Sequence, residues 1–107
     1  MSEEKIDMIH IPENLMEFYY DALTISNSNI DLLVKKQKDY GPKNISNAPG
    51  GPLNGLRVRM FDKLARINNL IETGATPENE SLRDSFMDIA NYATIALMVL
   101  DNKWDKE

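Results

Sequence analysis

The sequence predicts an all-α fold, a compact bundle of three to four helices with a long Gly/Pro loop, assembling as a homo-oligomer. Three observations lead there. Apolar residues recur at helical spacing in separate stretches of the chain. No stretch alternates apolar and polar residues around a hairpin turn, so no strand pair is expected. Gly41-Pro42, the Gly/Pro-rich run up to Gly55, and Gly74 punctuate the chain where helices stop. A chain of 107 residues is sized for one domain. It is assigned to residues 11–103, behind a loose tail at 1–10. His10, the only histidine, reads as an ordinary residue of that tail.

The first helix is expected from near Pro12, which suits a first helical turn, with Glu13 favourable at the positive end. Leu15, Phe18, Tyr19, Ala22 and Leu23 form its apolar stripe. Ser26-Asn27-Ser28-Asn29 is a weak spot where the helix breaks or bends. Ser28 or Asn29 then caps a second piece, carrying Ile30, Leu32, Leu33 and Val34, that stops at Gly41-Pro42.

Residues 42–55, "PKNISNAPGGPLNG", hold three of the five prolines and three of the five glycines, without apolar periodicity. They predict a functional loop. A helix from Leu56 to Glu72 follows, with Leu56, Met60, Leu64, Ile67 and Ile71 as a core stripe beside the basic Arg59, Lys63 and Arg66. Gly74 ends it. Thr76-Pro77-Glu78 predicts the start of the last helix, with Thr as cap, Pro at the first position and an acid in the first turn. That helix is expected from Pro77 to Asn102.

Composition narrows the function classes. Cysteine is absent, which excludes disulfides, thiolate metal sites and cysteine nucleophiles. The net charge of −5 argues against broad or sequence-specific nucleic-acid binding. The charge is uneven, however. Lys35, Lys36, Lys38, Lys43, Arg57, Arg59, Lys63 and Arg66 fall in one stretch, against Asp39 and Asp62 alone. A basic middle in an acidic chain suits a small anionic ligand, and it equally suits solvated helix faces paired with acidic neighbours. The acidic N-terminus lacks a hydrophobic signal core. The apolar run Ile89–Leu100 is broken by Asn91 and Thr94 and is too short to span a bilayer. A cytoplasmic protein without a membrane partner is expected.

The last helix poses the functional question. Glu80, Asp84, Asp88 and Asn91 fall on one face of a stretch that is otherwise apolar. A buried carboxylate without a partner is costly, so Asp88 needs one. The partner is either a cation of the preceding helix (Arg59, Lys63 or Arg66) or a divalent metal with oxygen ligands. The first gives an ion pair that fixes helix register without chemistry. The second, joined to the loop and the basic stripe, gives a nucleotide site. "NAPGGPLNG" lacks the Gly-Lys-Ser/Thr ending of a Walker loop. With one histidine, in the tail, and no cysteine, a nucleophile–base pair is not expected. An enzyme of this composition is a metal-assisted hydrolase.

Three motifs carry a family resemblance: Lys36, Asp39, Tyr40 and Gly41; Arg59, Asp62, Lys63 and Arg66; and Asp84, Asp88, Asn91 and Tyr92. Over roughly Leu33 to Leu100 the chain resembles the nucleotide modification associated domain family of phages and bacteria. More distantly, "DSFMDIANY" is similar to an element of the MazG-type all-α nucleoside triphosphate pyrophosphohydrolases. There Asp88 takes the place of a final aspartate, while the upstream acid, Asp84, stands four residues before it rather than three. The other Glu-x-x-Glu of that pattern is missing.

These resemblances imply a nucleotide-handling protein, expected to hydrolyse a nucleoside triphosphate or modified nucleotide with Mg²⁺. In that reading Asp62, Asp84 and Asp88 hold the metal, and Asp84 and Asp88 are the catalytic acids. Lys38, Arg59, Lys63 and Arg66 take phosphates, Tyr40 stacks on a base, and Asn44 or Asn91 reads its edge. Tyr40 reads equally as a core residue closing a helix end. The alternative is a non-catalytic binder that sequesters or senses a small nucleotide. Homo-oligomerisation follows from Phe18, Tyr19, Tyr20, Met98 and Trp104, more large apolar side chains than a small bundle covers.

Overall fold

The structure, a computed structural model, describes residues 10–106. The expected tail therefore lies outside the described residues except for His10, which is exposed. Every regular element among the described residues is helical. A 3₁₀ turn, Glu13–Leu15, leads into α1 (Met16–Tyr40); α2 (Lys43–Ser46), α3 (Pro52–Thr73) and α4 (Leu82–Leu100) follow. No helix of the described chain is long and apolar enough to cross a membrane.

α1 runs without interruption through Ser26–Asn29, where a break or bend was expected. Serine and asparagine cost a helix interior only about 0.7 kcal/mol each at most relative to alanine. Breaking the helix there would cost several backbone hydrogen bonds. The stop at Gly41 is as expected. Its φ of 65° with ψ of −174° is a backbone region essentially confined to glycine. Its N–H closes the helix onto the Gln37 carbonyl at 2.8 Å.

The run from Pro42 to Gly55 is not a structureless loop. Ile45 is buried and anchors the single turn of α2. α3 begins at Pro52, four residues before the expected start, because Gly51-Pro52 places proline at the first helical position. Gly55 belongs to this first turn, and a Cβ there would lie 2.5 Å from the Cβ of Ala48. The glycine that reads as a loop residue in sequence is thus a point where α3 and the preceding turn meet backbone to side chain.

α3 and α4 form an antiparallel hairpin. Arg66 meets Ser85, Lys63 meets Asp88, and Leu56 clusters with Ile95. α4 starts at Leu82 rather than Pro77. Ser81 is its cap, its hydroxyl accepting from the Asp84 N–H at 3.1 Å while Asp84 Oδ2 accepts from the Ser81 N–H at 3.2 Å. At its far end the Lys103 N–H reaches back to the Met98 carbonyl. Trp104 Nε1 then donates to the Pro42 carbonyl at 3.3 Å, and Asp105 pairs with Lys43 at 2.7 Å. The C-terminal segment is thereby fastened to α2.

The core is small. Ile45, Leu56 and Ile95 form its centre, with Leu33, Tyr92, Ala96, Val99 and Trp104 packed around them. Ile67 is buried farther along the hairpin. Leu64 and Ile71, expected in the core stripe, are exposed, as are Leu15, Phe18 and Leu23 of the first helix. The α3 face turned to α4 runs through Leu56, Lys63 and Ile67. That rotates the expected stripe and puts a lysine inside it.

Candidate functional site

The face of α4 turned to α3 and α1 carries three buried polar residues, Ser85, Asp88 and Asn91. Cations on two other helices converge on them. Lys63 reaches across the hairpin to Asp88 Oδ2 at 2.9 Å and to both oxygens of Glu80 at 2.8 and 3.0 Å. Lys36, at the C-terminal end of α1, donates to Asp88 Oδ1 at 2.9 Å. Arg66 donates to Ser85 Oγ at 2.9 Å and to the Glu80 carbonyl, and Ser85 in turn donates to Glu80 Oε2 at 2.8 Å. The result is one continuous chain of charge-assisted hydrogen bonds, Arg66–Ser85–Glu80–Lys63–Asp88–Lys36, that ties α1, α3 and α4 together.

The electrostatics follow from this pairing. Burial works to raise the Asp88 pKa, and the two lysines outweigh it, holding the carboxyl below its ordinary value. Burial also works against the charged forms of Lys36 and Lys63. The bonds to Asp88, and for Lys63 also to Glu80, overcome it and raise both ammonium pKa values.

Beside Asp88 opens a cleft of about 250 Å³ between the end of α1, α2 and the two hairpin helices. Leu33, Tyr40, Ile45, Tyr92, Ile95 and Trp104 give it apolar and aromatic walls. Lys36, Gln37, Asn44, Arg59, Asp88 and Asn91 supply its polar groups. The Asn91 side chain is buried, and its Nδ2 has no hydrogen-bond partner. Among the described residues no acid pairs with Arg59; its one contact is a long 3.4 Å approach to the Asn44 carbonyl. Tyr40 is 70% exposed and stands at the cleft's rim, so it is not a core residue.

Of the residues singled out in the sequence, the structure brings Tyr40, Asn44, Arg59, Asp88 and Asn91 together in this cleft. Lys63 and Arg66 are not among its lining residues and are engaged with Glu80, Asp88 and Ser85. Lys38 and Asp62 are exposed outside it, and Asp84 caps α4. Glu80, Asp84 and Asp88 line a smaller cavity on the other side of Lys36.

The described residues do not group the acids expected as metal ligands. Among the described residues no three acidic or histidine side chains converge as metal ligands. Both oxygens of Asp88 already accept from lysines. Asp62, Asp84 and Asp88 thus do not share a coordination sphere. Two participants escaped the sequence reading. Ser85 is indistinguishable from any small helical residue until its hydroxyl is seen between Arg66 and Glu80. Lys36 carried a signal, its place in the Lys-x-x-Asp-Tyr-Gly stretch, but nothing local assigns it to Asp88.

No curated protein and no solved structure matches the chain. A family does match: nucleotide modification associated domain 1, over residues 36–100. The match runs from the lysine that meets Asp88 to the last residue of α4, and it takes in every side chain of the cleft except Leu33 and Trp104. The chain therefore belongs to the nucleotide modification associated domain 1 family.

Proposed function

We propose that the cleft binds one small phosphorylated nucleotide and that the protein acts by holding it rather than hydrolysing it. The observation that carries this reading is the state of Arg59. Of the cations of α3, Lys63 and Arg66 are engaged with Glu80, Asp88 and Ser85, and Arg57 bonds Asn54. Arg59 alone lines the cleft, with no acid opposite it among the described residues. A planar guanidinium at the mouth of an aromatic-walled cleft suits a phosphate by geometry as well as charge. Lys36 lines the same cleft.

The walls suit a flat heterocycle, with Tyr40 and Trp104 offering ring faces. Asn91 lines the cleft and its buried amide nitrogen lacks a partner, which makes it the donor for a base or sugar oxygen in this reading. Burying a donor without a partner costs about 1–3 kcal/mol, a cost that a ligand oxygen removes. The family to which the chain belongs is named for nucleotide modification, which agrees with this chemistry. Mg²⁺-dependent pyrophosphohydrolysis, the activity suggested by the MazG-like stretch, finds less support, because the Asp88 carboxylate is neutralised by two lysines. The small core also favours self-association into a homo-oligomer.

Titration calorimetry against nucleoside mono-, di- and triphosphates, with and without Mg²⁺, and with a parallel product assay, tests the reading. Binding that survives a chelator and yields no product is expected, with Arg59→Ala weakening it about tenfold or more. Absence of binding at millimolar nucleotide overturns it. Magnesium-dependent pyrophosphate release, lost in Asp88→Asn, would replace it with the hydrolase reading.

A further inference from the structure

α1 is 25 residues long, yet only its C-terminal part packs on the hairpin, through Leu33 and Lys36. From Glu17 to Ser28 every residue except Tyr19 is exposed. This segment is not a polar helix. Glu17, Asp21 and Asp31 confine the charge to one narrow edge. At 3.6 residues per turn, the band free of charge around the rest covers about two-thirds of the circumference. Phe18 is 71% exposed and Val34 62% exposed. An amphipathic helix left in this state has a missing partner.

We propose that the partner is a second copy of this chain, laid antiparallel along the same segment. Three observations choose this occupant. First, Met16, Tyr20, Leu23, Asn27, Ile30 and Val34 fall along one side of α1 at spacings of four, three, four, three and four. That series reads the same from either end. Reversing one copy therefore sets Met16 against Val34, Tyr20 against Ile30 and Leu23 against Asn27, in register along the whole seam.

Second, the charges are polar along the helix. Glu13, Glu17 and Asp21 make its start acidic, while at its end Lys35, Lys36 and Lys38 outnumber Asp31 and Asp39, with Lys35 paired to Asp31 and Lys36 to Asp88. An antiparallel pair brings each acidic start beside the other copy's basic end, whereas a parallel pair stacks like charge on like. Third, the seam is apolar and uncovered. Tyr20, Leu23, Ile30 and Val34 all stand exposed on it. A two-fold contact uses the same surface on both copies, so the side chains that cover one seam are covered by the other. The inference does not rest on the nucleotide reading, since none of these seam residues lines the cleft.

The test uses the full chain at micromolar concentration in sedimentation velocity. A species of twice the 12.2 kDa chain mass is expected. Leu23→Glu with Ile30→Glu, both at exposed positions, should give monomer, with association weakened about 100-fold or more and the helical circular dichroism retained. A monomeric parent, with the arm covered by its own N-terminal residues or by nothing, overturns the proposal. So does a dimer indifferent to the double substitution.

The chain has no cysteine, so single cysteines report orientation directly. Tyr20→Cys mixed with Ile30→Cys should cross-link through a short bismaleimide, while neither variant alone does. Cross-linking of each variant alone would mean parallel strands of helix and would equally overturn the pairing.

Discussion

The Lys36 ammonium on α1 lies 2.9 Å from Oδ1 of Asp88 on α4, across fifty-two residues of chain. With Lys63 on the other oxygen, this bond anchors the end of α1 to the hairpin at the floor of the cleft. Removing one partner from a buried pair leaves the other charge uncompensated. Asp88→Asn should therefore destabilise the protein by about 1–3 kcal/mol, below the usual range for fully buried pairs because Lys36 remains half in solvent. Thermal unfolding followed by circular dichroism should show a fall of several degrees. An unchanged melting temperature would mean that the pair contributes no net stability.

The same pair sets a pH dependence. Asp88 has its pKa lowered in the folded chain, so its contribution is complete above the ordinary aspartate value of about 3.9. It is lost as pH falls through the lower folded value. Lys36 and Lys63 are raised, so their contributions are complete below the ordinary lysine value of about 10.4. They are lost as pH climbs through the higher folded values. Urea midpoints measured across pH should fall at both extremes, and Asp88→Asn should flatten both limbs. A variant with the parent's pH profile would assign the dependence to other groups.

Asn91→Leu separates function from stability. The amide nitrogen is buried without a partner, and an apolar side chain of similar volume removes that unmet need. The variant should melt at or above the parent temperature while binding nucleotide about tenfold more weakly. Equal affinity in calorimetry would remove Asn91 from the site.

The start of α4 offers a paired comparison. Ser81→Ala should cost about 0.5–2 kcal/mol through loss of the cap to Asp84, while Thr76→Ala, outside the helix, should change stability little. Denaturant titration of the two variants checks this. The reverse order would move the helix start to Pro77.

That comparison also shows what was readable in the sequence. Thr76-Pro77-Glu78 and Ser81-Leu82-Arg83-Asp84 are both acceptable helix starts by local chemistry. Arg66 decides between them. It bonds the Glu80 and Ser81 carbonyls and holds that backbone outside the helix, a contact that exists only once the hairpin has formed. The helical class, the stop at Gly41 and the need of Asp88 for a partner, either a basic side chain or a metal, are legible, because each follows from periodicity, backbone freedom or the cost of a buried charge.

The identity of that cation was half legible. Lys63 lies on the neighbouring helix, whereas Lys36 arrives through topology. The core stripe of α3 was misplaced because Leu64 and Ile71 are as apolar as Leu56 and Ile67. Nothing in their chemistry says that their side of the helix faces away from α4.

Trp104, drawn against the Pro42 carbonyl at the edge of the cleft, is the only tryptophan in the chain. The protein thus carries a single indole beside its candidate pocket, and emission excited at the red edge of the indole band, where tyrosine does not absorb, comes from one known position. A guest entering the cleft changes the polarity and quenching around that ring, and release of the C-terminal segment from α2 exposes it to water. Occupancy and unlatching can therefore be followed optically, without a label, on the natural sequence.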